Sequence, residues 1–241
     1  MLAIQPLGDT GARVELGQEI SPAVHARVVA FCRSLERQRL AGVAEWVPGY
    51  ASVTVFYRPD AIRYEELCAR LQELTAHTDA PAATAEVVCL PVLYGGEWGA
   101  DLDFVAQHSG LQAAEVIAAH SRPEYLVYMI GFAPGFPYLG GMDPRIAAPR
   151  LASPRRGVPA GAVGIAGSQT GVYPIETPGG WRIIGRTPVR LFDARREPPI
   201  LLQAGQRLKF EPISAAEYAR IEAQAALGNH AVTRRAAETN A

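Results

Sequence analysis

The chain has 241 residues, 49% of them hydrophobic, with a formal net charge of -1. That length holds one large domain or two small ones. No apolar run approaches the ~18 residues of a membrane-spanning helix. The first residues also lack a basic stretch followed by an apolar one. The scattered Cys32, Cys68 and Cys89 fit neither a disulfide framework nor a zinc knuckle. The expectation is a cytoplasmic protein with free thiols, with neither nucleic acid nor a membrane as partner.

The first part alternates strands and helices. Residues 2–7 and 12–16 read as short strands around a turn at Gly8-Asp9-Thr10-Gly11. Ser21-Pro22 is an N-cap followed by proline at the first helical position. The helix it opens runs to about Arg39, with Val24, Val28, Phe31 and Leu35 on one face. Residues 44–48 and 52–57 read as paired strands around Gly49-Tyr50. Asp60 is the expected cap of a second helix with the stripe Ile62, Leu67, Leu71 and Leu74. Small and polar residues from Thr78 to Ala85 mark a boundary, giving an N-terminal domain over 1–82, a second domain over 83–228 and a tail over 229–241.

The second part opens with a strand over 86–93. Helices are predicted over 101–108 and 112–121, the latter placing Val116, Ile117 and His120 at helical spacing. A strand over 125–130 leads into a segment, Gly131 to Arg190, that mixes many Gly and Pro with recurring aromatics. Linkers lack the aromatics and core strands lack the glycines, so this composition suits a closely turned β structure whose loops form a specific surface. Short strands are predicted over 162–167, 171–175, 181–186, 201–204 and 207–212, which argues for a barrel or sandwich rather than a parallel sheet. A last helix starts near Ser214. The Ala-rich residues beyond Leu227 carry no apolar period.

Positive charge concentrates in the Gly/Pro segment. Arg145, Arg150, Arg155, Arg156, Arg182, Arg186 and Arg190 face only Asp143 and Glu176. Planar guanidinium forks match carboxylates and phosphates, so an anion site is expected here, with the Arg155-Arg156 pair its strongest candidate. The bland alternative is a solvated basic face or pairing with acids from elsewhere. Lys209 is the only lysine. A phosphate-binding P-loop is therefore absent, and a Schiff-base lysine is not expected from a residue in an ordinary alternating strand.

Several ordered pieces carry a family resemblance. They are Tyr94-Gly95-Gly96-Glu97, His120 with Tyr125, Gly131 to Gly141, Pro149-Arg150 through Gly161, Gly167 to Pro174, and Thr177 to Pro188. The chain resembles the family variously called 5-oxoprolinase B subunits, Kip-type kinase inhibitors and allophanate hydrolase subunit 1. The resemblance implies an α+β fold, a small α/β domain followed by a cyclophilin-like β-barrel. It implies an ATP-dependent opening of 5-oxo-L-proline to L-glutamate, with ATP and Mg2+ bound together with a partner chain. The implied partners are the C subunit of 5-oxoprolinase, similar to allophanate hydrolase subunit 2, and its A subunit. Ala100, Ala162 and Gln206 depart from the family's usual Pro, Ser and Asp. Other readings are a regulator docking on a sensor histidine kinase, and a detached carboxyltransferase-type domain acting on urea or a related amide.

The site residues expected from the motifs fall into two groups. His120 is the general acid/base candidate, because imidazole titrates near neutral pH, and Arg155 and Arg156 supply positive charge. Ser168, Gln169, Tyr173, Glu176 and Arg186 are expected to contact substrate. Phe132, Phe136, Tyr138 and Trp181 read as core or subunit-interface anchors. His25, His77, His108 and His230 are expected on surfaces. No metal site is expected from histidine spacing. Glu97, Asp101 and Asp103 could hold magnesium, but acids favoured at a helix N-terminus explain the two aspartates more simply.

Overall fold

The structure, a computed structural model, describes residues 3–76, 86–227 and 232–236. The chain divides into two compact units, Met1–Ala83 and Thr84–Ala241. The expected boundary at Thr78 to Ala85, together with His77 and His230, lies outside the described residues.

Unit 1 is a four-stranded antiparallel sheet with two helices. The strands are β1 (Ile4–Leu7), β2 (Gly11–Glu15), β3 (Val43–Pro48) and β4 (Ser52–Tyr57), in the order β1-β2-β4-β3. Alternation along β2 and β4 puts Ala12, Val14, Val53, Val55 and Tyr57 on one buried face. Helix α1 (Pro22–Gln38) covers that face with Val28, Phe31 and Leu35, and α2 (Tyr64–Ala76) with Leu67, Leu71 and Leu74. The Ser21 hydroxyl accepts from the Val24 N–H at 3.4 Å and caps α1 as its sequence predicts. Asp60 does not cap α2. That helix starts four residues later, because Ala61 and Ile62 N–H groups first close a turn on the Arg58 carbonyl. His25, expected on the surface, is buried and has an interaction partner.

Unit 2 is built on one curled sheet. Its strands are β5 (Glu86–Tyr94), β6 (Glu124–Ile130), β7 (Pro137–Gly140), β9 (Ala162–Ala166), β10 (Gln169–Val172), β12 (Arg182–Arg186) and β13 (Arg207–Pro212), which follow one another in the order β10-β9-β12-β5-β13-β6-β7. The outer strands β10 and β7 pack beside each other, so the sheet nearly closes into a barrel. Strands β8 (Arg155–Val158) and β11 (Thr177–Gly179) pair separately as a small ribbon. Helices α3 (Leu102–Ser109), α4 (Ala113–Ser121) and α5 (Ala215–Ala226) complete the unit. Its core joins Val88, Leu90, Val105, Val116, Tyr125, Ile146, Ile165, Ile184, Leu208 and Phe210.

The mixed α/β architecture with a barrel-like sheet is the fold class expected from the sequence. Local differences have physical reasons. Strand β10 starts two residues earlier than expected and stops at Val172, because the Tyr173 N–H turns to the Ala162 carbonyl. The expected strand over 201–204 is a bend, fixed where the Leu201 N–H meets the Leu191 carbonyl and the Gln203 N–H meets the Gln206 side chain. Part of the tail beyond Leu227, where the sequence shows no apolar period, is a strand. Residues Arg234–Ala236 form β14 on the edge of β5, with Arg234 on Glu86 at 2.6 Å and Arg235 on Glu124. The Lys209 side chain, in β13, donates to the Arg122 carbonyl.

Candidate active site

The motif pieces build a cleft at one end of unit 2. After β5, Gly95 and Gly96 take φ of 72° and 55°, the left-handed region that glycine enters without steric cost. The chain turns there and is laced to β12: the Gly95 N–H donates to Ile184 O at 3.0 Å and the Asp101 N–H to Ile183 O at 2.8 Å. This fixes Glu97 and Trp98 on one wall. The Val158-Pro159-Ala160-Gly161 turn forms the other, held by Gly161 N–H to Tyr173 O at 2.7 Å and Thr187 N–H to Gly161 O at 2.9 Å. Between them lies a cavity of about 280 Å³ lined by Glu97, Trp98, Arg155, Pro159, Ala162 and Arg186, among others.

Arg186 is placed for recognition. Its Nε donates to Ala160 O at 2.9 Å, and its guanidinium lies 5.3 Å from the Trp98 ring centroid. Trp98 stacks in turn on Tyr218 of α5 at 4.8 Å. A guanidinium held at Nε and backed by an aromatic face presents its remaining N–H donors in a fixed plane. Ala162 is a buried wall of this cavity.

Arg155 reaches the same cavity, but its guanidinium is committed to the protein. Nη2 donates to both carboxylate oxygens of Asp101, at 2.8 and 3.0 Å, and Nη1 to Trp181 O at 3.2 Å. Asp101 is buried, also meets Arg182 at 3.7 Å, and accepts from the Ile183 N–H at 2.6 Å. Asp101 is thus a strut between α3, β8 and β12. Its side chain makes no capping hydrogen bond. Among the described residues no three His, Cys, Asp or Glu side chains converge on one point.

His120 is fully buried, stacked 4.5 Å from the Phe210 ring. Nδ1 lies 2.8 Å from the Tyr94 hydroxyl and Nε2 2.8 Å from Thr170 Oγ1. Thr170 spends its one proton on Gly164 O at 3.0 Å, so it accepts from Nε2–H. The Tyr94 hydroxyl then donates to Nδ1. Burial holds the imidazole down at about 3 from its usual 6.5 and pushes the Tyr94 phenol well up. The reading of His120 as a general acid/base therefore meets a different arrangement: a neutral ring whose nitrogens are both occupied by protein. It ties Tyr94, the residue before the Gly95-Gly96 turn, to Thr170 on β10.

The remaining expected site residues scatter around this centre. Ser168 is exposed and Gln169 half-buried at the β9–β10 turn, where Gly167 and Ala148 exchange backbone hydrogen bonds of 2.7 and 3.3 Å. Tyr173 is buried in a second core cluster with Phe136, Val158, Ala166 and Trp181. Arg156 and Glu176 are exposed. Of the aromatics expected as anchors, Phe136 and Trp181 are buried, Tyr138 is half-buried, and Phe132 is 68% exposed. Sequence reasoning did not single out Trp98 or Thr170; Trp98 directly follows the motif residue Glu97, and Thr170 lies within the Gly167 to Pro174 piece.

A larger cavity of about 710 Å³ lies elsewhere, lined by Arg190, Arg195, Arg196 and Arg234 among others. Its arginines are spent on the protein: Arg195 on Asp193 at 2.9 Å, Arg234 on Glu86 at 2.6 Å, and Arg196 on the Arg190, Leu191, Pro198 and Pro199 carbonyls. The smaller cleft carries the motif residues and is the stronger candidate.

Residues 2–202 match the family model described as carboxyltransferase domain, subdomain C and D. The chain belongs to this family. Within it the chain is 46% identical to the 5-oxoprolinase B subunit of Bacillus subtilis over 89% of its own length and 94% of that protein's. It is 41% identical to the 5-oxoprolinase B subunit of Escherichia coli O157:H7 over 86% of its length and 94% of that protein's. Among solved structures, TTHA0988 superposes with a TM-score of 0.75 at 36% identity, covering 85% of this chain and 40% of that one. The chain thus spans nearly all of the two bacterial relatives and well under half of TTHA0988. The Kluyveromyces lactis urea amidolyase matches in fold, with a TM-score of 0.80 at 20% identity over 97% of this chain and 16% of that one. No described helix is long and apolar enough to cross a membrane.

Proposed function

We propose that the chain is the B subunit of an ATP-dependent 5-oxoprolinase, active with partner C and A subunits, and that the Glu97–Arg186 cleft forms one wall of its substrate site. The observation that carries this is the identity of 41–46% to proteins named as B subunits of 5-oxoprolinase, across nearly their whole length. The arginine-backed cleft built from the shared motifs agrees with it.

The chemistry explains the use of ATP. A lactam carbonyl is a poor electrophile with a poor leaving group. Transfer of the ATP γ-phosphoryl to the amide oxygen releases ADP and makes the carbon electrophilic. Water adds there, the ring C–N bond breaks toward the nitrogen, and a γ-glutamyl phosphate results. A second water releases phosphate and L-glutamate. Such transfer needs positioning and positive charge at the phosphoryl oxygens.

This chain's share is recognition. Arg186 pairs its outer N–H donors with the substrate carboxylate, Trp98 walls the ring, and Ala162 keeps the floor apolar. Asp101, Arg155 and Arg182 hold the walls at fixed spacing, and the Tyr94–His120–Thr170 chain fixes the approach to the turn. The nucleotide and its Mg2+ are held together with a partner chain, in keeping with a sequence that carries no P-loop lysine. Assay of 5-oxoproline-dependent ATP hydrolysis by the chain with the C and A subunits tests the proposal, and absence of such turnover in the assembled complex contradicts it.

A further inference from the structure

Phe132 combines two features that are each costly alone. Its backbone sits at φ 60°, in the left-handed region that a bulky residue enters only under constraint. Its ring is 68% exposed. A loop residue free to relax would abandon that φ and fold its ring inward.

The surroundings keep it from relaxing. The Ala133 N–H closes on Gly131 O at 2.6 Å, the Phe136 N–H on Ala133 O at 3.0 Å and the Gly131 N–H on Phe136 O at 3.1 Å. The loop is therefore cross-braced along its length. One edge of the Phe132 ring rests T-shaped on Phe136, with centroids 5.5 Å apart. Phe136 is in turn wedged among Tyr138, Tyr173 and Trp181 at 5.2–5.7 Å. The ring stands on a rigid aromatic base and faces solvent.

We propose that Phe132 is a preorganised anchor that inserts into a concave apolar pocket of the companion C subunit. This rests on the reading of the chain as part of an oxoprolinase. A rigid, exposed aromatic has little conformational freedom left to lose on binding, which is the property of interface hot spots. The comparison with TTHA0988 points to a protein occupant: there the homologous unit is 40% of a longer chain, so additional polypeptide accompanies it.

The test uses the full chain and the purified C subunit, with affinity measured by calorimetry and the melting temperature of the chain alone measured in parallel. Phe132→Gly removes both ring and backbone strain. It is expected to weaken binding by about tenfold or more while leaving the melting temperature of the free chain unchanged or raised. Phe132→Tyr keeps the ring and is expected to bind within about threefold of wild type. Unchanged affinity of Phe132→Gly overturns the proposal, as does a melting temperature that falls with the affinity, which marks a purely structural ring. Loss of self-association alone, with binding to the C subunit intact, also overturns it in favour of a second copy as occupant. Unchanged affinity in a complex that still turns over 5-oxoproline leaves the functional reading standing, whereas a wild-type complex that forms but is inactive contradicts that reading and not this one.

Discussion

Nε2 of His120 and Oγ1 of Thr170 are 2.8 Å apart, and the Thr170 bond to Gly164 O fixes the direction of the proton between them. The imidazole is therefore a neutral ring with Nε2 protonated, donating to β10 and accepting from Tyr94 at the end of β5. Both ring nitrogens are thereby occupied by protein partners.

The pH dependence follows. Burial lowers the folded-state value to about 3 from 6.5, so the unfolded chain binds the extra proton first. The His120 contribution to stability is fully present above 6.5 and is lost as pH falls from there toward 3. Urea denaturation at pH 7.5 and at about 5 is expected to show a loss that His120→Gln reduces. The His120 ring proton signals in an NMR titration are expected to stay constant over that range; a midpoint near 6.5 contradicts the neutral buried ring.

Arg155 and Arg156 are adjacent in sequence and opposite in role. Arg156→Ala is expected to change stability by no more than about 0.5 kcal/mol, as for an exposed side chain. Arg155→Ala removes the partner of a buried carboxylate. Its side chain is 33% exposed and Arg182 also faces Asp101, so solvent and the second arginine soften the loss to about 1 kcal/mol. Thermal or chemical denaturation of the two variants side by side measures the difference, and equal stabilities contradict the strut.

The contrast shows what the sequence could and could not reveal. The apolar stripe of α1, the Ser21 cap and the alternation of β2 and β4 are local patterns, so they were legible. The Gly/Pro segment was legible as a turned β surface with concentrated positive charge. Which arginine stays available was not legible, because Asp101 meets Arg155 across 54 positions and Arg186 finds Trp98 across 88. His120 was singled out from its motif context, but its surroundings depend on Tyr94 and Thr170, which come from two strands distant from its helix in sequence. β14 was missed because a strand of three residues, Arg234–Ala236, is too short to carry a period, and its pairing depends on Glu86 and Glu124 far away in sequence.

Gly161 supports the cleft wall through its backbone. It sits at φ +83°, and an added Cβ would lie 2.3 Å from the Thr187 carbonyl oxygen. Gly161→Ala is expected to cost roughly 1–3 kcal/mol through strain and the clash together. Denaturation midpoints check this, and a neutral alanine contradicts the described turn.

Arg186 carries the recognition proposal. Arg186→Lys keeps the charge but loses the planar fork and the Nε bond to Ala160. In the assembled enzyme it is expected to raise KM for 5-oxoproline about tenfold or more, with a smaller change in kcat. A fall in kcat at constant KM contradicts a binding role for this guanidinium.

The central claim is that this chain supplies one wall of a 5-oxoprolinase site shared with the C and A subunits. Its most direct test is ADP and glutamate formation from ATP and 5-oxo-L-proline, measured for the purified chain alone and for the chain reconstituted with both partners. The account predicts no turnover by the chain alone, and ATP hydrolysis matched to glutamate formation in the complex. Full turnover by the isolated chain, or an assembled complex that leaves 5-oxoproline untouched, would contradict it.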